Sequence, residues 1–268
     1  MVVHRAPTDM EYVMPSRRFD FPNAHGEQLS ALLELPEGEP WGWALFAHCF
    51  TCGKNILAAR RIAQGLTRHG IAVLRFDFTG IGASEGEFAN TNFSSNVADL
   101  LAAAAHMRNT LCAPDLLIGH SLGGAAVLAV AGNIPEAKGV ITIAAPSDPS
   151  HVANLFDTHV EQIETIGTVE VQLSGRTFRI NRHFLDDIRS QPQTERIAKL
   201  RKALLVFHSP VDTTVGVDNA AQIFAAAKHP KSFVSLEDAD HLLSRKEDAE
   251  YVSNVIAAWA ERYLDRTV

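Results

Sequence analysis

Several features are missing from this 268-residue chain, and each absence narrows what it can be. There is no block of lysine and arginine and the net charge is −7, which argues against nucleic acid or an anionic membrane surface as a partner. Nowhere do the roughly eighteen apolar residues needed to cross a bilayer run together. Residues 1–20 lack the apolar centre of a signal peptide. A soluble, cytoplasmic protein is therefore expected. The three cysteines are too few, and odd in number, for a disulfide framework, which fits a reducing compartment. Cys49 and Cys52 form a CxxC, but no second CxxC and no HExxH follows, so neither a metal nor a redox role is expected of them. No internal repeat or low-complexity linker interrupts the chain.

What is present begins with 46% hydrophobic residues, enough for one large core. Residues 17–21 and 28–35, separated by the turn-rich 22–26, suggest an opening antiparallel pair. Buried-type strands follow at 43–48 and 71–76, with an amphipathic stretch between them at 55–69. A helix at about 92–111 places Val97, Leu100, Leu101 and Ala104 on one face. Further short apolar strands lie near 116–120, 139–143, 203–207 and 231–236. Strands alternating with helices imply parallel pairing and a doubly wound α/β sheet. The last helix is expected to open with a Ser244/Glu247 capping box and to bury Val252, Val255, Ile256 and Trp259.

Residues 147–200 break this rhythm with a helical piece near 151–163, an alternating segment over 168–180 around a Ser174-Gly175 turn signal, and a second helical piece at 184–188. Too long for a plain connection, this segment is expected to fold over the sheet edge as a small lid. The lid would divide a core made of residues 1–146 and 201–268.

The chemistry centres on Leu116-Leu117-Ile118-Gly119-His120-Ser121-Leu122-Gly123-Gly124, an apolar strand running into a serine with a glycine two residues away on each side. That is a nucleophile elbow, since side chains at Gly119 and Gly123 would collide with neighbouring strand or helix while the turn pushes Ser121 outward. A serine hydroxyl needs a base, and the base an orienting acid. Asp212 lies just past the 203–207 strand and His241 just past the next, ahead of the final helix. These are the chain positions at which such a triad carries its acid and its histidine. Asp238 and Asp240 are rivals for the acid, but a carboxylate so near the histidine in sequence cannot easily reach its ring. The developing oxyanion needs two donors, for which the backbone N–H groups of Leu122 and Phe50 are the candidates. Cys49 and Cys52 would then be small packing residues beside that hole, and His120 would shape the pocket wall. Thr51, Leu155, Phe156, Phe184 and Leu185 are candidate pocket residues.

His48-Cys49-Phe50-Thr51, the stretch Arg75-Phe76-Asp77-Phe78-Thr79-Gly80-Ile81-Gly82-Ala83-Ser84-Glu85-Gly86, the GHSLGG elbow and the hairpin-bearing insertion together resemble the α/β-hydrolase superfamily. Within it the chain is similar to serine aminopeptidases and small cinnamoyl or feruloyl esterases, and closest to the hydrolase half of proteins that carry an OsmC-type peroxidase domain. The likeness runs from about residue 17 onward. It implies the Ser121-Asp212-His241 triad, oxyanion donors at Phe50 and Leu122, and a lid over the pocket. Cys49 stands where the family usually has glycine, a departure that bears on the path of the oxyanion loop. The chain ends at Val268, so none of the OsmC domain's peroxide chemistry is expected of it. The Gly80-Ile81-Gly82 region superficially resembles a dinucleotide loop, yet it follows several strands rather than the first, and no YxxxK occurs. The expected activity is hydrolysis of carboxylic esters through an acyl-enzyme, with peptidase, thioesterase or acyltransferase chemistry on the same triad as the alternative and a nicotinamide-dependent oxidoreductase as a remote one. No metal or organic cofactor is implied. The partner is a small-molecule ester, and self-association is left open.

Overall fold

The computed structural model describes residues 16–173 and 175–264. Most of the signal-peptide reading, the start of the 1–146 core and Ser174 of the turn signal lie outside them.

The chain opens with four short strands, β1 (Arg17–Arg18), β2 (Phe21–Pro22), β3 (Gln28–Leu29) and β4 (Ala31–Glu34). β2 pairs antiparallel with β3, and β1 with β4. Alternation then sets in through β5 (Gly42–Ala47), α1 (Leu57–Arg68), β6 (Ile71–Phe76), α2 (Phe93–Thr110), β7 (Leu116–His120), α3 (Leu122–Val130) and β8 (Gly139–Ile143). After a 3-10 segment at Pro149–Phe156 come α4 (Asp157–Ile166), β9 (Thr168–Leu173), β10 (Arg176–Asn181), α5 (Arg182–Arg189) and α6 (Gln193–Ala198). The chain returns through β11 (Ala203–His208), α7 (Asp218–Ala226), β12 (Lys231–Ser235) and α8 (Lys246–Ala260). Eight strands form one sheet in the order β1-β4-β6-β5-β7-β8-β11-β12. β4 meets β6 antiparallel, and every pairing from β6 across to β12 is parallel.

Central strands buried on both faces read as unbroken apolar runs, and successive residues feed opposite layers. In β7, Leu116 and Ile118 pack with Ala44 and Phe46 of β5 and with residues of α1 and α8. Leu117 and its counterpart Leu45 face the layer formed by α2, α3 and the inserted segment. α2 begins where expected, since Asn92 accepts from the Ser95 N–H and Ser95 Oγ accepts from the Asn92 N–H, a capping box. Of its expected face, Leu100 and Ala104 are fully buried and Val97 and Leu101 half-buried.

Two expectations fail locally. The Ser244/Glu247 capping box does not form: Ser244 donates its N–H to Asp240 instead, and α8 starts from Arg245 with no side-chain cap. Val255 is half-buried rather than core. α7 carries no strong sequence signal, because only Ala220 and Ile223 of its nine residues reach the interior.

Candidate active site

Ser121 is set by its neighbours. It follows β7 with φ 54° and ψ −126°, a left-handed conformation that costs a non-glycine residue. What holds it there is packing: a Cβ on Gly119 would run into the Gly123 carbonyl, one on Gly123 into the Ala47 and His48 carbonyls, and one on Gly124 into Ala145. The turn is pinned further by the Ser121 N–H donating to the Ile143 carbonyl at 2.9 Å. The collisions at Gly119 and Gly123 are those the spacing predicts; that at Gly124 is a further one.

Three groups distant in sequence meet at the carboxyl edge of the sheet. Ser121 Oγ lies 3.0 Å from His241 Nε2, and His241 Nδ1 lies 2.7 Å from Asp212 Oδ2. Asp212 follows β11 and is buried, with its other oxygen accepting the N–H groups of Thr214 and Val215 at 2.8 and 2.9 Å. Burial alone would raise its pKa, but hydrogen bonds from His241, Val215 and Thr214 outweigh that and hold the carboxyl below its ordinary value. The rival carboxylates are engaged elsewhere. Asp238 is exposed and forks onto Arg245, while Asp240 accepts from Ser244.

Two histidines that end the strands on either side of β8 brace this arrangement. His120, at the end of β7, is fully buried and donates Nε2–H to the His241 backbone carbonyl at 2.7 Å, with the two rings 5.2 Å apart. His208, at the end of β11, donates Nε2–H to the Val215 carbonyl at 2.7 Å, and so holds the turn that feeds Asp212 its N–H bonds. Both Nδ1 atoms are buried without a partner, which favours neutral rings. Burial, with the nearby His241 charge second, lowers His120 to about 4, and burial likewise lowers His208. His120 therefore lies behind His241 rather than on the pocket wall, because its side chain falls on the sheet face that α8 covers. Its position at a strand end beside the serine is a sequence signal for support, not for contact with substrate.

The loop after β5 has an equally specific build. His48 is buried, its Nδ1–H bonds the Cys49 carbonyl at 2.8 Å, and its Nε2 accepts the Phe78 N–H at 3.3 Å. Burial lowers its pKa, consistent with this neutral tautomer. The Cys52 N–H also reaches the Cys49 carbonyl, at 3.2 Å. A trans peptide points its C=O and N–H in opposite directions, so pinning that carbonyl inward turns the Phe50 N–H outward. Thr51 takes φ 57°, its carbonyl accepts from Arg176 of β10, and Cys49 and Cys52 are joined by a disulfide. The disulfide overturns the reading of these cysteines as mere packing residues. A count of three speaks against a framework of several staples, but the turn at Phe50-Thr51 brings the two Cα atoms within 5.3 Å, inside bridging range. A formed disulfide also removes the cysteine argument for a reducing compartment.

A cleft of about 310 Å³ at the serine is lined by Phe50, Ser121, Leu122, Pro146, His151, Val152, Asn154, Leu155, Thr214 and Val215. A second, of about 340 Å³, lies on the other side of Phe50 and Leu122 and takes in His48, Thr51, Phe78, Phe88 and Asn96. Leu155 reaches the serine cleft and Thr51 the second cleft. Phe156, Phe184 and Leu185 reach neither: they are buried in the core, and the Phe156 and Phe184 rings lie 6.3 and 5.4 Å from that of Phe50. Phe156 of the 3-10 segment and Phe184 of α5 thus back the Phe50 loop from the core side.

The Gly80–Gly86 loop is closed on itself. Asp77 accepts from Lys54 N, Lys54 Nζ and Ala83 N, so the donors a phosphate would need already serve an internal carboxylate. Among the described residues, no group of three or more His, Cys, Asp or Glu side chains is arranged to hold a metal ion. No helix among them is long and apolar enough to cross a membrane.

A mostly parallel sheet, layered on both faces, with a serine on a strained strand-to-helix turn beside a histidine and an aspartate, defines the α/β-hydrolase architecture. Comparisons agree. An esterase domain from Rhodothermus marinus is 50% identical over 94% of this chain and 100% of its own, with a TM-score of 0.77. The chain belongs to the α/β-hydrolase superfamily. The serine aminopeptidase, S33, family matches residues 52–176. Est1E of Butyrivibrio proteoclasticus, solved with ferulic acid bound, shares the fold at 18% identity over 91% of this chain and 98% of its own, with a TM-score of 0.75. The uncharacterized protein YfhR of Salmonella typhi is 22% identical over 83% of this chain and 72% of its own length.

Proposed function

We propose that the protein is a serine hydrolase that cleaves small carboxylic esters through an acyl-enzyme. The observation that carries this reading is the unbroken relay Ser121–His241–Asp212, at 3.0 and 2.7 Å. Ser121 attacks the ester carbonyl as His241 Nε2 takes its proton. The tetrahedral oxyanion is held by the N–H groups of Phe50 and Leu122, the latter at the amino end of α3. Collapse expels the alcohol, which receives the proton from His241. A water molecule, deprotonated by the same imidazole, then attacks the acyl-enzyme and frees the acid. Asp212 fixes the ring and stabilises the imidazolium formed in each half-reaction. Residues 147–200 form the lid, whose Leu155 borders the cleft while its hairpin and α5 back the Phe50 loop.

The likeness to an esterase domain favours esters. The aminopeptidase family match suggests a second reading, which the cleft disfavours. An aminopeptidase needs an acidic group to hold a substrate ammonium, and among the described residues lining the Ser121 cleft none is Asp or Glu. The test is turnover of p-nitrophenyl acetate and butyrate, a hydroxycinnamate ester and an aminoacyl anilide by the wild type and by Ser121→Ala. Ester turnover that falls by about 10⁴-fold in the variant is expected. Anilide cleavage exceeding ester cleavage would replace the esterase reading with a peptidase one.

A further inference from the structure

The Cys49–Cys52 disulfide is the feature of this site that the hydrolytic cycle does not use. It closes a ring of four residues, and inside that ring lie Phe50 and Thr51, that is, one proposed oxyanion donor and its neighbour. Thr51 is held at φ 57°, a region that a β-branched side chain disfavours. The loop therefore sits in a conformation that its own residues would not choose. Hydrogen bonds to the Cys49 carbonyl from His48 and Cys52, one from the Thr51 hydroxyl to the Phe50 carbonyl, and the clamp from Arg176 all help to hold it. The covalent link is the only one of these restraints that solution chemistry can remove selectively. It is also reachable: Cys49 is buried, but Cys52 is partly exposed.

We propose that Cys49–Cys52 is a thiol-exchange site, and that a small dithiol, by opening it, slackens the oxyanion loop and turns hydrolysis down. The inference rests on the serine-hydrolase reading above, since it assigns the loop its part in that reaction. In the first step a thiolate of the dithiol attacks Cys52 Sγ, the accessible sulfur. A mixed disulfide forms, the Cys49–Cys52 bond breaks, and Cys49 leaves as a thiolate that takes a proton from solvent. The second thiol of the reductant, once deprotonated, then attacks its own sulfur in the mixed disulfide and releases Cys52 as a thiolate, which is protonated in turn. The dithiol loses two electrons and ends as a cyclic disulfide, while the protein gains two thiols. Air or an oxidised dithiol reverses the exchange.

Losing a whole oxyanion donor costs about 10²–10³-fold in kcat. A donor that is loosened while its hydrogen bonds persist should cost less, on the order of tenfold, with KM little changed because the ground-state ester does not depend on it. The experiment uses the purified chain carrying Cys112→Ser, which removes the exposed free thiol. Oxidised protein should then titrate with no thiol under native conditions, and dithiothreitol-treated, desalted protein with two. Turnover of p-nitrophenyl butyrate should fall about tenfold on reduction and return on reoxidation. The double variant Cys49→Ser/Cys52→Ser should start at the reduced level and ignore the reductant. Circular dichroism that is unchanged on reduction, together with the reversibility, separates loop slackening from unfolding. Two new thiols with unchanged kcat would overturn the proposal, as would a double variant with wild-type kcat, or two titratable thiols in protein kept oxidising throughout. Each of those results leaves the dependence on Ser121 intact. Activity that survives Ser121→Ala would instead remove the hydrolase reading itself.

Discussion

At the scale of single residues, the site separates groups that react from groups that hold them. Asp212→Asn should cost about 10⁴-fold in kcat, because the ring of His241 loses the acceptor that fixes its tautomer. Asp240→Asn should change kcat by less than about twofold, since Asp240 accepts from Ser244 and the Leu242 N–H rather than from His241. Steady-state kinetics on one p-nitrophenyl ester decides between them, and equal losses would mean the acid has been misassigned. His120 makes a subtler case. Its Nε2–H fixes the backbone of His241, and the ring lines neither cleft. His120→Leu should therefore lower kcat by roughly tenfold through misplacement of the base while leaving KM near its original value. His120→Gln, which keeps an N–H donor at similar reach, should recover most of the loss. A Gln variant as poor as Leu would show that ring packing, not the hydrogen bond, is what matters.

At the scale of elements, the inserted segment does two separable jobs. The 3-10 stretch Pro149–Phe156 presents Leu155, nearly half exposed, to the cleft. Behind it, Phe184 of α5 packs with Phe156 and Phe50. Leu155→Ala should alter the ratio of kcat/KM between butyrate and acetate esters and leave the melting temperature within about 2 °C. Phe184→Ala should destabilise by about 3 kcal/mol, as deletion of a buried aromatic ring does. It should lower kcat on every chain length alike, because the wall behind the Phe50 loop is lost. Thermal melts and a chain-length series distinguish the two; a shift in chain-length preference from Phe184→Ala instead would put that ring back in the pocket. The insertion is tied down rather than loosely hung. Asn181 donates to the Ala89 carbonyl, Asp187 accepts from Ser94 N–H and Oγ–H, and buried Gln193 donates to the Ala125 carbonyl of α3.

At the scale of the whole molecule, buried histidines tie stability to pH. His48, His120 and His208 are all held neutral by burial, with pKa values below the ordinary 6.5 and that of His120 at about 4. In the unfolded chain they take up protons near 6.5, so below that pH the unfolded state binds more protons and stability falls as pH falls. Each such group contributes up to roughly 1.4 kcal/mol per pH unit between its two pKa values. Asp99 acts in the opposite sense. Burial raises it from 3.8 to about 6, so between those values the folded state holds the extra proton and gains stability as pH falls. Burial also lowers His106 and raises Asp115, so four histidines against two aspartates predict a net drop in melting temperature from pH 7 to 5. His120→Gln should flatten that slope and Asp99→Asn should steepen it, as measured by circular dichroism melts across the range. A slope that ignores both substitutions would place the acid sensitivity elsewhere.

The alternation of strands and helices was legible in the sequence alone, as were the elbow and the three groups that lie within hydrogen-bond distance of one another in the structure. Periodicity and glycine spacing are local properties, and the order serine, aspartate, histidine follows from where strands end. Most strand limits could be read because buried strands are predominantly apolar runs, as at Ile71–Phe76, broken only by Arg75, and Gly139–Ile143, broken only by Thr142. The α8 cap was misread because a capping box needs a particular backbone geometry, and Asp240 competed for the Ser244 N–H. Tertiary structure decided which face each side chain meets: His120 behind the base, Phe156 and Phe184 behind the wall, and Cys49 bonded to Cys52 across a turn that spacing did not announce. Those outcomes depend on distances between layers of the fold, and no pattern along the chain encodes a distance between residues that meet only after the sheet has closed.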